Sequence, residues 1–548
     1  MMRRWVLHPF LLATYPILAL FSRNVYETRP IELAWPILLV VLGTSAVWAV
    51  WWLFVRDVQK AGLLASLFVV LFFTVARIAE IANHQLSELS AYWVRTSVRI
   101  WPPYAIAPEI VVFLVLCALV VRWVKKPGTL TAALNLFAIV LIAMPASWIA
   151  MAKASTEARA TRRVEPFAIA PSAETRPDIY YIILDAYART DVMQALFDFD
   201  NNPFLESLER KGFHVTRRST ANYCQTPLCL SASLNSTYLD DLVQGLGRDQ
   251  TELSGFIGRN RIVETLRPLG YKFVTFSTGF EPTEHPEADA YYAPFHQLSE
   301  FHRLLVDVTP LGALFLNPSR ADLFTMARER VLYLLDNLAD VAADRAPTFT
   351  FAHILCPHPP FVFGEDGEDV SHRDDRFFLT DGQKFLGTAA DPVIYRRGYR
   401  AQAIFVTRRI EQVIDRILAE SPEPPIIILQ SDHGSGWKLD MHSLDRTDLK
   451  ERMSILNAYY FPGQRYHELR DTISPVNSFR VVLNTFFGGR IPYLPDQSFY
   501  STWDDPYAFI DVSSRVHGRL YDEEPQATPE ASELEPEPEP EPDSTSGE

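Results

Sequence analysis

The sequence predicts an α-helical membrane domain followed by an α/β domain with a mostly parallel sheet, and three observations predict it. Charge and tryptophan are unevenly spread: residues 1–152 hold 12 Lys and Arg against 6 Asp and Glu, and 9 of the 11 tryptophans. Beyond them come short, unbroken apolar runs such as Ile179–Leu184 (IYYIIL), separated by stretches of helical character. That pattern suits strands buried on both faces. Three of these runs end in acids or imidazoles, and ligands of open α/β sheets bind beyond the carboxyl ends of strands. The formal charge of the 548 residues is −15, and residues 522–548 contain 11 acids and no base. The stretch 153–521 therefore carries about −10 and no basic block, which makes nucleic acid a poor partner.

The membrane part, residues 1–152, holds five apolar stretches: 5–22, 33–55, 61–76, 100–121 and 127–151. Since about 17–25 apolar residues cross a bilayer, five spans are expected. The third is the weakest, ending before Arg77 and Glu80, whose spacing lets them pair at the membrane edge. Glu109, the single acid in these stretches, is either a functional group or a solvated helix end. The short segments 1–4, 56–60 and 122–126 together hold seven Lys and Arg, so the positive-inside rule keeps the N-terminus in the cytoplasm. Five crossings then deliver everything after residue 151 to the outer face. With four more spans behind it, the first stretch is not read as a cleaved signal. The region serves as an anchor, or in addition helps to hold a lipid.

Residues 153–177 read as a linker, basic and then punctuated by proline. The α/β domain occupies 178–519, with strands expected at Ile179–Leu184, Lys272–Phe276, 348–355 and 426–429 and helices at 321–344 and 399–420. Residues 520–548 form an acidic, Pro-rich tail, with Glu-Pro repeats at 533–543; it cannot bury apolar surface and is expected to be disordered.

The chemistry gathers at strand ends. Asp185 follows the first run; Cys356-Pro357-His358-Pro359-Pro360-Phe361 follows the third; Ser431-Asp432-His433-Gly434 follows the fourth. Alone, Asp185 reads as a helix cap, His358 as a packed loop histidine and Asp432-His433-Gly434 as a turn. Together they bring two carboxylates and imidazoles to one sheet edge, a mixed N/O set suited to one divalent metal, Zn or Mn. Thr226-Pro227 has the form of an N-cap with proline at the first helical position. A hydroxyl placed there lies beside the free N–H groups and positive dipole of a helix start, where phosphoryl oxygens bind. A divalent cation would lower its pKa, as a weak nucleophile requires.

Asp185 after its strand, Thr226 at a helix start, His358-Pro359-Pro360-Phe361 and Asp432-His433-Gly434 resemble the alkaline phosphatase/sulfatase superfamily. Five spans before such a domain resemble, more narrowly, the membrane-anchored lipoteichoic acid synthases and phosphoethanolamine transferases, and Glu451-Arg452-Met453 through Gly463 is similar to the segment after their Asp-His pair. The resemblance implies a sulfatase-like catalytic domain in which Asp185, Asp432 and His433 bind the metal and Thr226 is both nucleophile and ligand. His358 matches a substrate-contacting histidine, and His442 is placed as a later substrate histidine. Asp185 departs from the Glu that the nearest transferases use, which leaves the metal open between Zn and Mn.

These implications add up to a metal-dependent transferase in the bacterial inner membrane, multi-pass, with its catalytic domain on the periplasmic or extracellular side. It would move a phosphoryl-linked head group from a membrane phospholipid donor to a cell-envelope glycan or lipid acceptor through a phosphothreonine; no nucleic acid takes part. The alternatives are a phosphate or sulfate ester hydrolase of the same superfamily, or a non-catalytic envelope assembly or binding protein. Sulfatases use a cysteine in Cys-x-Pro-x-Arg, which Cys224-Gln225-Thr226-Pro227-Leu228 does not match. In an oxidising compartment Cys224, Cys229 and Cys356 leave several disulfide pairings open.

Overall fold

The chain is described by a computed structural model covering residues 5–25, 30–74, 102–159, 164–169, 176–248, 250–294, 300–307, 309–311, 320–370, 381 and 392–522. Arg77, Glu80, the side chain of Glu109 and the tail from residue 523 fall outside the described residues.

Each of the five apolar stretches contains a helix among the described residues: His8–Arg23, Ala34–Val55, Val58–Thr74, Pro102–Trp123 and Pro127–Arg159. Among the described residues, two helices are long and apolar enough to cross a membrane, Pro30–Val55 and Pro127–Ala152, while Val58–Thr74 and Ile110–Trp123 are shorter. Among the described residues, except for Leu311, Val393 and Ile510, the large apolar side chains that remain exposed all lie between Trp5 and Met151. An apolar surface of that extent is tolerated in lipid, not in water.

The helices pack in alternating directions, so each end of the bundle gathers particular segments. At one end Asn135 accepts backbone N–H bonds from Leu7 and His8 (3.1 and 2.9 Å), and Lys60 Nζ reaches the carbonyl of Val121 (3.1 Å). Arg56, Arg122, Lys125 and Lys126 neighbour those contacts in the chain. At the other end Ile17, Phe21, Leu33 and Ile149 share one apolar cluster with Phe301 and Leu305 from the α/β domain.

That domain is built on a seven-stranded sheet of β1 (Ile179–Leu184), β2 (His214–Val215), β3 (Lys272–Phe276), β4 (Ala290–Tyr292), β5 (Thr348–Ile354), β6 (Ile426–Gln430) and β7 (Asn457–Tyr460), in the order β2-β7-β6-β1-β5-β3-β4. The pairs β6–β1, β1–β5, β5–β3 and β3–β4 are parallel; β7 runs antiparallel to both β6 and β2. The expected run at 348–355 stops one residue early, and that at 426–429 extends by one. The expected helix 321–344 resolves into Arg320–Asn337 and a 3-10 turn at Ala339–Ala343, and the expected 399–420 begins at Pro392.

The alternation of β1 explains its unbroken apolar sequence. Tyr180, Ile182 and Leu184 pack on one side with Phe197, Leu335 and Ile414, whereas Ile179, Tyr181 and Ile183 pack on the other with Leu230, Ile262 and Phe479. Each layer is closed by helices, so neither face of the strand meets water. The register Leu184↔Ile354 and Ile183↔Gln430 brings the carboxyl ends of β1, β5 and β6 level. The residues after them therefore meet at one edge.

Candidate active site

Asp185 leaves β1 with its backbone N–H donating to Ile354 O (2.9 Å), which fixes its carboxylate in the gap between β1 and β5. The next residue, Ala186, has φ of +63°, a left-handed conformation costing an alanine about 1–2 kcal/mol. It is held by the N–H donating to Asp432 Oδ1 (3.2 Å) and by Tyr399 OH donating to the Ala186 carbonyl (2.7 Å). Strain retained in this way clusters at functional sites.

Asp432 and His433 leave β6, and Gly434 lets them sit close to the helix Leu449–Met453. A Cβ on Gly434 would come within 2.1 Å of Glu451 O, and the Gly434 N–H donates to Arg452 O (2.7 Å). Glu451 in turn accepts from the backbone N–H groups of Trp437 and Lys438 (2.8 and 3.0 Å), pinning the loop after His433.

The helix Thr226–Asn235 starts at Thr226, with Gln225 as its N-cap in extended conformation. This corrects the sequence expectation by one position, because Thr226 is the first helical residue and Pro227 the second. The Gln225 side chain makes no capping bond, and Thr226 Oγ1 lies 2.9 Å from His433 Nε2.

Four predicted residues thus come together: Asp185, Thr226, Asp432 and His433. His433 Nε2 is 3.3 Å from Asp432 Oδ2 and 3.8 Å from Asp185 Oδ1. The His433 Nδ1–H donates to Gly434 O (3.0 Å), and Arg452 Nη2 donates to Nε2 (3.1 Å), so Nε2 carries a lone pair. Burial and the Arg452 charge push the His433 pKa down and keep the ring neutral.

A fifth residue joins them that sequence reasoning missed. His353 of β5 lies with Nε2 3.2 Å from Asp185 Oδ2, and its Nδ1 is 3.0 Å from Thr283 Oγ1. Asp185, His353 and Asp432 are buried with ligand atoms all within 4.8 Å of one another. Asp185 Oδ1, Asp432 Oδ2 and His353 Nε2 have no hydrogen-bond partner among the described residues. Buried polar atoms are rarely left so, and a divalent cation with N/O preference would give all three a partner, so the donor set fits one. The signal in the sequence was a lone ionisable side chain within an otherwise apolar strand.

His358 also reaches the site, and its Nδ1 is 2.6 Å from Pro359 O. Burial opposes its charge, but Asp185 and Asp381 outweigh burial and raise its pKa. The Asp185 carboxyl is held below the usual range: burial works against it, and the neighbouring His358 charge prevails. Arg452 is buried, with Nη1 2.8 Å from Asp381 Oδ2 and Nε donating to Cys224 O (2.9 Å). Asp381 is further held by Tyr395 OH (2.6 Å). Sequence gave no sign of Asp381, since nothing around it is periodic.

A cavity of about 370 Å³ opens on this cluster. Its floor is Asp185, Thr226, His358, Asp381, His433 and Arg452, and its outer wall includes Phe280, Pro282, Met441 and Trp503. His442 is half-exposed and pairs through Nδ1 with Asp504 Oδ2 (2.7 Å); its neighbour Met441, rather than His442 itself, lines the cavity. All four cysteines are free and buried. The thiols of Cys224, Cys229 and Cys356 donate to the carbonyls of Ser501, Tyr223 and Gln402, and burial pushes their pKa values up.

No protein-family model matches the chain, and no curated protein matches it. Among solved structures it is similar to the C-terminal periplasmic domain of EptC from Escherichia coli in complex with Zn, with 13% identity and a TM-score of 0.42 over 65% of this chain and 99% of that one. It is similar to the integral membrane lipooligosaccharide phosphoethanolamine transferase A of Neisseria meningitidis, with 11% identity and a TM-score of 0.38 over 88% of this chain and 95% of that one. A 2-O GAG sulfatase matches with 11% identity and a TM-score of 0.36 over 64% of this chain and 76% of that one.

Proposed function

We propose that the chain is a membrane-anchored, metal-dependent transferase that moves a phosphoryl-linked head group from a membrane phospholipid to an envelope glycan or lipid through a phosphothreonine at Thr226. The observation that carries this reading is the meeting of a helix-start hydroxyl, Thr226 Oγ1, with the His433 Nε2 imidazole nitrogen 2.9 Å away, beside two buried carboxylates each with one oxygen that has no partner among the described residues.

Asp185, Asp432 and His433, with Thr226, would hold one cation, Zn or Mn, and His353 adds a nitrogen to that set. When bound, the cation would supply the charge that ionises the hydroxyl and polarises phosphorus. The side chains do the rest. Thr226 enters as an alkoxide and its Oγ1 bonds to phosphorus while the P–O bond to the lipid alcohol breaks. His358, kept protonated by Asp185 and Asp381, gives its proton to the departing alkoxide. An acceptor hydroxyl then returns a proton to His358 as its oxygen attacks phosphorus and Thr226 Oγ1 leaves. Arg452 places a positive charge at the cavity floor for the phosphoryl oxygens. His442, at the rim beside Met441, is assigned to substrate contact.

A cavity of about 370 Å³ holds a head group and not acyl chains, which suits a donor whose chains stay in the bilayer. We assign residues 1–152 to five spans, 178–519 to the catalytic domain and 520–548 to a solvent-exposed tail. The basic residues at one end of the bundle favour a cytoplasmic N-terminus, with catalysis on the far side of the inner membrane.

Intact-protein mass spectrometry after incubation with a membrane lipid extract tests the reading. A phosphoryl-linked adduct mapping to Thr226, absent from Thr226→Ala, is expected. An adduct on another residue, or lipid turnover at the wild-type rate by Thr226→Ala, overturns it.

A further inference from the structure

Among the described residues that line the cavity, Arg452 is the one arginine or lysine, set against the acids Asp185, Glu281 and Asp381. Its Nη1 lies 2.8 Å from Asp381 Oδ2, and both side chains are buried. A contact that short, away from water, offsets the arginine's field at the cavity floor while leaving its N–H groups in place.

The surroundings hold the Asp381 carboxylate where it is. Tyr395 OH donates to Oδ1 (2.6 Å) and accepts from the Gly436 N–H (3.1 Å). Tyr395 is itself packed edge-on against Phe361, with ring centres 5.3 Å apart at 87°. A Cβ on Gly436 would come within 2.0 Å of Asp381 Oδ2, so glycine keeps the space that the carboxylate fills. Burial opposes its charge, but His358 and Arg452 outweigh burial and hold the carboxyl below its usual range.

The charges at the floor therefore nearly cancel. Those of a divalent cation would be matched by Asp185 and Asp432, and that of Arg452 is matched by Asp381. At most the proton on His358 remains for the substrate. One surplus charge suits a phosphodiester, which has a single ionised oxygen, whereas a phosphomonoester carries about −1.5 to −2 at pH 7. The extra charge would lie unmatched near Asp381, where little water screens the repulsion. A head group linked through phosphorus to Thr226 is again a diester, so the same single charge persists through both steps.

We propose that Asp381 is the specificity-determining residue of this site: by holding the Arg452 charge it admits singly charged phosphodiesters and turns away doubly charged phosphomonoesters and inorganic phosphate. The substrate selection rests on the phosphoryl-transfer reading above; the anion selection does not.

The test uses the full zinc-loaded chain and two soluble substrates that share a leaving group, bis(4-nitrophenyl) phosphate and 4-nitrophenyl phosphate. The wild-type chain is expected to favour the diester, and Asp381→Asn to raise the monoester-to-diester ratio of kcat/KM by about tenfold or more. Asp381→Ser takes its place if Asp381→Asn does not fold. A ratio that moves by less than about threefold, as when both substrates lose equally, overturns the proposal; so does a wild-type chain that cleaves the monoester as readily as the diester. A wild-type chain that cleaves neither sinks the transfer reading instead, and calorimetry then decides the anion selection. Asp381→Asn should bind the inorganic phosphate dianion about tenfold tighter than wild type, while its affinity for dimethyl phosphate changes by less than about threefold. Unchanged phosphate affinity, or an equal gain for both anions, overturns it.

Discussion

At Thr226 a structural and a chemical role for one hydroxyl make different predictions. Gln225 occupies the N-cap and the Thr226 hydroxyl faces His433, so Thr226→Ala removes little that holds the helix. Its stability should stay within about 0.5 kcal/mol of wild type, measured by thermal unfolding, while turnover falls by about 10³-fold or more because a covalent step is lost. Thr226→Ser should keep part of the activity. His358 gives a pH signature. Its pKa lies above the usual 6.5 because Asp185 and Asp381 outweigh burial, and the proposed step needs the protonated ring. Turnover should therefore hold below that raised value and decline as pH rises through it, and His358→Gln should lose this limb along with most of its rate. Asp185, Asp432 and His433 were legible because each follows an apolar run at a point where strands end. His353 was not, because its strand signal, TFTFAHIL, made it look like filler in a buried run, and only the β1–β5 register turns its ring toward Asp185. The hydroxyl behind it offers a test: Thr283→Val keeps the shape but removes the partner of His353 Nδ1. Metal affinity should fall about 10- to 100-fold, the usual cost of losing an orienting partner behind a ligand, as read by competition with a chelator.

The elements show where local sequence sufficed and where it did not. β1 and β3 match their expected bounds because unbroken runs of Ile, Tyr, Phe and Val have one comfortable home, a strand covered on both faces. β2, β4 and β7 were not foreseen. They hold two to four residues each, too few to display a period, and they pair only because neighbours already in the sheet offer free edges. The loop after β6 depends on tertiary contact in the same way. Gly434 is required by the approach of Glu451 O, 2.1 Å from where a Cβ would sit. Backbone cannot yield there as a flexible side chain would. Gly434→Ala should push the helix Leu449–Met453 away, and with it Arg452, whose carbonyl accepts from the Gly434 N–H. The expected result is a loss of several kcal/mol in stability, of the order seen for forced overpacking of about 1–3 kcal/mol or more, with turnover falling in the fraction that still folds. A variant with wild-type melting and rate would show that the loop and helix can separate freely.

Across the whole molecule, the two halves of the sequence are legible by different physics. The α/β part announces itself through burial of short runs, and the bundle through an apolar surface that stays exposed among the described residues. Length and apolarity pick out two spans among the described residues, 30–55 and 127–152, and shorter helices lie in the other three apolar stretches. Contacts at the two ends carry more information than length does. Asn135, near the start of the last helix, holds Leu7 and His8 at the start of the first, while Ile149, near its end, shares a cluster with Ile17 and Phe21. The first and last helices therefore run in the same direction, which an odd number of crossings requires and an even number forbids. If the basic end faces the cytoplasm, the cavity and everything after residue 152 must lie on the opposite side. A phosphatase reporter that works only outside the cytoplasm, fused after Glu548, should be active, and a reporter that matures only in the cytoplasm should stay dark at the same position. Moving the junction to the Lys125-Lys126 segment should reverse both results. A dark outer reporter and a bright inner one at Glu548 would put the cavity on the side where no envelope acceptor is found, and the proposed reaction would have to be given up along with the orientation.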